Sequence, residues 1–227
     1  MRSFAALTLT IVAATAATAG AQTFTPNLNN VELGLNAGYQ QGLSGGLTLR
    51  AANVAGPVGI RVGIDYSNVA DALNDDATLN GVSYVKLIKA ADPSTAESGS
   101  SVTSSLDATY DLPAVAPGFN SYVYAGARYN MFTATLTSPA ANNTTTFTTN
   151  QFGLGAGVAA GYAITGNLSL TGDLGVDYYF PSSFSTDDGK GNTDTYNSGE
   201  GGYTDINNLV NQPTTSVKAK IGLAYRF

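Results

Sequence analysis

The feature that most constrains this chain is a two-residue alternation of apolar with small or polar side chains, recurring through most of its length. Successive side chains of a β-strand point to opposite faces, so the pattern specifies strands with two unlike surfaces. Val31, Leu33, Leu35, Ala37 and Tyr39 share one face, with Glu32, Gly34, Asn36 and Gly38 between them. The rhythm returns over 47–51, 58–66, 102–112, 123–131, 152–162, 168–180 and 217–227, which makes eight strands. After the N-terminal segment, no apolar run reaches the roughly 18 residues that a membrane helix needs.

The connections alternate in length. Short turns are expected near 55–57, 113–120 and 164–167, and long polar loops near 68–100, 133–150 and 181–214. The first hairpin, at Gln41-Gly42, is short although it belongs to the long-loop side. Short turns at one rim and long loops at the other predict an all-β fold, an antiparallel up-and-down barrel. Residues 81–89 read either as a strand extension or as a short helix.

Period two does not say which face is inside. A soluble periplasmic barrel or sandwich would bury the aliphatic face. Three observations favour the inverse, a transmembrane barrel. The polar face is rich in Gly, Ala, Ser and Thr, and charged residues make up only 11% of the chain. Soluble surfaces carry more charge, whereas small residues suit the narrow interior of eight strands. Aromatics close both ends of the apolar face: Tyr39, Tyr66, Tyr129, Phe152, Tyr178 and Phe180 near the long-loop rim, Tyr110, Tyr162, Tyr225 and Phe227 near the other. Membrane interfaces select two such girdles, and the ten steps from Phe152 to Tyr162 give roughly 33 Å of strand, or about 25 Å along the normal once tilted. Finally, the polar-face charges balance. Glu32, Asp65, Asp107, Asp111, Asp173 and Asp177 stand against Arg50, Arg61, Arg128, Lys218, Lys220 and Arg226. Charges of both signs on one face can pair across a lumen, whereas each would cost about 2–4 kcal/mol in mid-depth lipid.

The N-terminus reads as a signal peptide over 1–21. Arg2 supplies the positive charge, Ala5 to Val12 the apolar stretch, and Ala19-Gly20-Ala21 the small-residue cleavage site. Cleavage there leaves a barrel domain over 22–227.

Composition also restricts the chemistry. With no Cys and no His, the chain lacks thiolate ligands, the commonest general base and the commonest metal ligand. The net charge of −6 argues against nucleic acid as a partner. Asp173 and Asp177 form a carboxylate pair on the polar face, but Lys218 and Lys220 on the neighbouring strand are their expected partners. The loop carrying Asp187, Asp188, Asn192 and Asp194 offers oxygens for Ca²⁺. Its spacing is not that of an EF-hand, and the same residues form ordinary turns. No metal or cofactor is expected.

The final strand, Lys218-Ala219-Lys220-Ile221-Gly222-Leu223-Ala224-Tyr225-Arg226-Phe227, closes on an aromatic. It resembles the C-terminal signature by which bacterial outer-membrane proteins are recognised for insertion. With the eight-strand layout, the chain resembles the OmpA/OmpX-like family of small barrels over nearly its whole length. The likeness is architectural and matches no internal motif. It covers the barrel and not the peptidoglycan-binding domain of full OmpA-type proteins. It implies contact with outer-membrane lipid and insertion by the barrel-assembly machinery. The expected function is a structural or surface-interaction barrel, non-enzymatic, with an ion-paired, closed lumen. The alternatives are a narrow porin-like channel and a loop-mediated adhesin.

Overall fold

The computed structural model describes residues 30–79 and 81–227. The signal peptide and cleavage site expected over 1–21 lie outside the described residues. Eight long antiparallel strands close into a barrel. They are β1 (Val31–Gln40), β2 (Leu43–Ala55), β3 (Val58–Val69), β6 (Ala96–Leu112), β7 (Phe119–Ser138), β8 (Asn143–Ala163), β9 (Leu168–Tyr179) and β12 (Thr215–Arg226). Between β3 and β6 lie the short strands β4 (Thr78–Leu79) and β5 (Val82–Ser83) and helix α1 (Tyr84–Ala91). Between β9 and β12 lie β10 (Phe184–Asp187), β11 (Thr193–Tyr196) and helix α2 (Tyr203–Leu209). Each long strand pairs with its neighbour in sequence. The ring closes where β1 meets β12, in a ladder running from Glu32 opposite Arg226 to Gln40 opposite Lys218.

Exposure settles which face is inside. Leu174 is 59% and Ile221 72% exposed, while Arg128 and Asp107 are 2% and 1% exposed. A soluble sheet would show the opposite order. The wall is therefore apolar outward and polar inward, as a lipid solvent requires.

Residues 133–150, expected as a long loop, are instead a projecting hairpin: β7 and β8 stay paired from Phe119 opposite Tyr162 to Ser138 opposite Asn143. The physical reason is a change of phase in the alternation. On β7, Phe132, Ala134 and Leu136 point inward and are buried, while Thr133, Thr135 and Thr137 occupy the outer face that Val123, Ala125 and Ala127 hold lower down. The strand thus leaves lipid for water without interruption, and its apolar side changes from outside to inside.

The inward apolar residues form a second core above the polar lumen. Phe132, Ala134, Leu136 and Phe147 from the projecting strands pack with Val69 at the end of β3 and with Leu73 and Val85 from the β3–β6 connection. Phe184, Tyr203 and Leu209 complete the cluster from the β9–β12 connection. β10 extends the projecting sheet by pairing with β8, from Phe184 opposite Thr149 to Asp187 opposite Thr146. The two long connections are tied together where Asn74 N–H donates to Leu209 C=O at 2.8 Å. The segment 81–89 is mainly helix. Its Val85 is buried in this core, which the 3.6-residue spacing of Val85 and Ile88 permits.

Asp92, just after α1, clasps the cap to the β7–β8 turn. Its carboxylate accepts from Ser138 Oγ at 2.7 Å and from the Ala140 N–H at 3.0 Å, besides Ser94. Those donors, led by the Ser94 and Ser138 hydroxyls, hold its pKa down at about 2. In the last turn of α1, Lys89 is held between Asp75 at 2.7 Å and Glu97 at 2.8 Å; burial works to lower its pKa, but these two bonds outweigh it and leave the pKa above the ordinary lysine value.

Candidate functional site

The polar interior is the candidate site, and strand register places its side chains in layers. Nearest the short-turn rim, Arg50 on β2 bridges Glu32 at 3.3 Å and Asp111, and Arg226 meets the same Glu32. The Arg50 guanidinium also lies 3.9 Å from the centroid of the Tyr122 ring. One layer up, Arg61 reaches Asp107 at 3.2 Å and Asp173 at 2.8 Å, and stacks 3.8 Å from the Tyr124 centroid. Tyr124 Oη donates to Asp173 at 2.6 Å. Arg128 joins Asp107 and Asp177, both at 2.6 Å, and Lys220 joins Asp65 at 2.5 Å.

All twelve charged residues singled out from the sequence thus have an opposite charge within salt-bridge reach. The partners of Asp173 and Asp177 differ from those expected. Asp173 is held mainly by Arg61, with Lys218 at 3.8 Å; Asp177 is held by Arg128 and accepts from Gln40 Nε2 at 3.1 Å; Lys220 belongs to Asp65. Pairing therefore runs across the lumen as much as between adjacent strands.

Above the charges lies a neutral belt. Asn130 Oδ1 accepts from Thr103 Oγ1 at 3.1 Å and from Ser101, and Asn130 Nδ2 donates to Gln151 at 3.2 Å. Gln151 in turn donates to Pro213 C=O at 3.0 Å, which joins the belt to the cap. Glycines of β8, and Gly175 of β9, face large inward side chains. A Cβ on Gly157 or Gly175 would strike Tyr124 Oη, one on Gly155 would strike the Arg128 guanidinium, and one on Gly153 would meet the Tyr179 ring at 2.8 Å. These glycines are the sockets into which the large inward side chains fit.

The outer aromatics form pairs near both ends of the wall. Tyr129 lies directly opposite Phe152 with centroids 5.1 Å apart, and Tyr178 and Phe180 meet edge-on at 5.6 Å. Tyr39 and Tyr66 stand outward near the same end, at 57% and 54% exposure. Toward the other end, Tyr225 packs on Phe227 at 5.1 Å, Tyr110 is exposed opposite Val123, and Tyr162 faces Phe119. Phe119 lies within a segment expected as a turn. Tyr122 falls just before the alternation read from Val123, and one further step of two back from Tyr124 finds it. In the loop considered for Ca²⁺, Asp188 is consumed by the turn itself, accepting from Lys190 N–H at 2.8 Å and Asn192 Nδ2 at 2.7 Å. No three carboxylates converge on a point among the described residues.

With that geometry established, one comparison is decisive. The chain superposes on the crystal structure of a major outer membrane protein from Thermus thermophilus with a TM-score of 0.78. The two are 36% identical over 87% of this chain and 99% of that one. The chain belongs to the family of that outer-membrane protein. Two further solved structures are similar at lower score. The N-terminal β-barrel domain of Pseudomonas aeruginosa OprF gives 0.47 at 13% identity, covering 88% of this chain and 98% of that one. Escherichia coli outer membrane protease OmpT gives 0.46 at 10% identity, covering 91% and 99%. No protein-family model and no curated protein matches the sequence.

Proposed function

We propose that the protein is a structural, surface-presenting barrel of the bacterial outer membrane whose lumen is closed to solutes. The observation that carries this reading is the stack of three fillings along one axis. Charges of both signs pair at membrane level, the Asn130–Gln151 belt bonds to the loops, and an apolar core lies above both. An eight-stranded interior is narrow enough for side chains to fill, and the cavity bordered by Glu32, Asn36 and Asp173, inward of an open recess at the turn-side rim, measures about 50 Å³. On this reading the mature chain starts after a cleaved signal peptide, its last strand engages the barrel-assembly machinery, and the projecting sheet meets the exterior. We read it as non-enzymatic. The sequence has no His, and both candidate carboxylates, Asp173 and Asp177, are already engaged by cations.

Planar-bilayer conductance of the refolded protein, beside a Lys218→Ala/Lys220→Ala variant, tests the proposal. A silent wild type is expected. Reproducible small steps whose ion selectivity changes in the variant would make the protein a narrow channel instead.

A further inference from the structure

The turn-side half of the lumen differs from the rest in being incompletely filled. A cavity of about 50 Å³ lies there between Glu32, Asn36, Thr48, Tyr122 and Asp173. Space for one water takes roughly 10–15 Å³ by this measure, so it has room for a few. Its remaining wall includes short side chains such as Ala159, Thr171 and Ala224, beside the long side chains of Arg50, Arg61 and Lys220. Asn36 Oδ1, which borders it, is buried and has no donor among the described residues. A buried amide oxygen is paired in nearly all folded proteins, with protein or with water. Beside this cavity is a larger recess of about 180 Å³ at the turn-side rim, lined by Asn53, Asp111 and Arg226. Cavity and recess share Arg50, Asn120 and Tyr122 in their linings, and there the Arg50 guanidinium stacks on the Tyr122 ring.

The ceiling is of a different kind. Lys220 on β12 reaches Asp65 on β3, passing over Gly38 and Gly46 on the two strands between. A Cβ on Gly46 would strike the Asp65 carboxylate, so the ion pair lies flat against the wall there. Across the lumen, Asp107, Arg128 and Asp177 fill the same level at 2% exposure or less. On the turn side the cavity is bordered by the Arg61–Asp173 pair, and nearer the rim by Arg50, which bridges Glu32 and stacks on Tyr122.

We propose that the barrel contains a one-ended solvent chamber. It is entered from the short-turn rim past Arg50 and Tyr122, takes water and species no larger than a bare monovalent ion, and ends at the Lys220–Asp65 and Arg128 layer. The proposal rests on the closed-lumen reading for its ceiling, and on the cavity, the recess and Asn36 for its opening. The absence of cysteine from the sequence makes thiol accessibility a background-free test. Single Asn36→Cys and Thr48→Cys substitutions report the chamber; Thr103→Cys and Asn130→Cys report the belt above the ceiling. Each variant, reconstituted in nanodiscs and verified as folded by heat-modifiable gel migration, is exposed to Ag⁺, and the surviving thiol is titrated after denaturation. The chamber thiols are expected to react on the order of 100-fold faster than the belt thiols, whose exposure requires a local opening of the structure. An Arg50→Ala change should speed the reaction at Asn36→Cys further. Chamber thiols as slow as belt thiols would overturn the chamber while leaving the closed lumen intact. Belt thiols as fast as chamber thiols would overturn the ceiling, and with it the closed-lumen reading. An Asn36→Cys rate indifferent to Arg50→Ala would overturn the doorway.

Discussion

Arg128 is the test of how the lumen is held together. Its side chain is 1% exposed and lies 2.6 Å from both Asp107 and Asp177, which are 0% and 1% exposed. Replacing it by methionine keeps most of the volume and removes the charge. Asp107 then retains Arg61 at 3.2 Å, but Asp177 keeps only the Gln40 amide at 3.1 Å. Breaking a buried pair by removing one partner costs about 3–5 kcal/mol, because the remaining charge is left without compensation. At 1.4 kcal/mol per tenfold, the folding equilibrium should fall roughly a hundred- to a few-thousand-fold. The triple variant Arg128→Met/Asp107→Asn/Asp177→Asn removes the stranded charges as well, and Arg61 keeps Asp173 at 2.8 Å. It should recover more than half of the loss, since neutral replacement of a buried ionic group is often close to neutral in free energy. Urea-induced equilibrium unfolding in lipid vesicles, followed by gel migration without heating, measures all three proteins. A triple variant no more stable than Arg128→Met, or an Arg128→Met barrel as stable as wild type, would refute the reasoning.

Two further predictions concern the cap. Phe132 is fully buried in the apolar core above the lumen, and Phe132→Ala should cost about 3–5 kcal/mol by the same unfolding assay, as for an aromatic in a soluble core. The Asp92 carboxylate, held at a pKa of about 2 by hydroxyl and amide donors, lies below the ordinary aspartate value near 3.9. It therefore contributes stability at and above that ordinary value and loses it as pH falls toward 2. Carboxyl-carbon NMR of the refolded protein should give that titration directly, and Ser138→Ala should move it upward; an Asp92 titrating in the ordinary range would contradict the clasp.

The sequence made eight strands and their outward faces legible because lipid and a narrow lumen impose opposite demands on alternate residues. Val123, Ala125 and Ala127 alternating with Tyr124, Gly126 and Arg128 admit one reading once charge is confined to one face. The same rule concealed the hairpin at 133–150. There Phe132-Thr133-Ala134-Thr135-Leu136-Thr137 alternates just as cleanly, but on the opposite parity, because the solvent outside has changed from lipid to water. The polar composition then looks like a loop. Helix α1 was ambiguous for a related reason: in so short a segment, Val85, Leu87 and Ile88 fit either period. The inventory of lumen charges followed from one-dimensional pattern, whereas their partners did not. Arg128 meets Asp107 and Asp177 from strands on both sides, and Lys220 passes over two strands to reach Asp65. Such choices depend on barrel stagger and side-chain reach, which alternation does not encode. Nor does it encode the sockets at Gly155 and Gly157, visible only when Arg128 and Tyr124 are seen to occupy them.

The most direct test of the account is a nitroxide scan along the outer face of β7. Labels placed one at a time at cysteines replacing Val123, Ala125, Ala127, Met131, Thr133, Thr135 and Thr137, in the protein reconstituted in bilayers, report relaxation by oxygen and by a water-soluble nickel chelate. Oxygen, concentrated in lipid, should dominate through Met131, and the chelate should dominate from Thr135 onward, with the crossing at the level where Phe132 turns the apolar face inward. Uniform access of the chelate along the whole strand would contradict a membrane barrel, and oxygen dominance persisting to Thr137 would contradict the change of face on which the cap, and the closure of the lumen beneath it, depend.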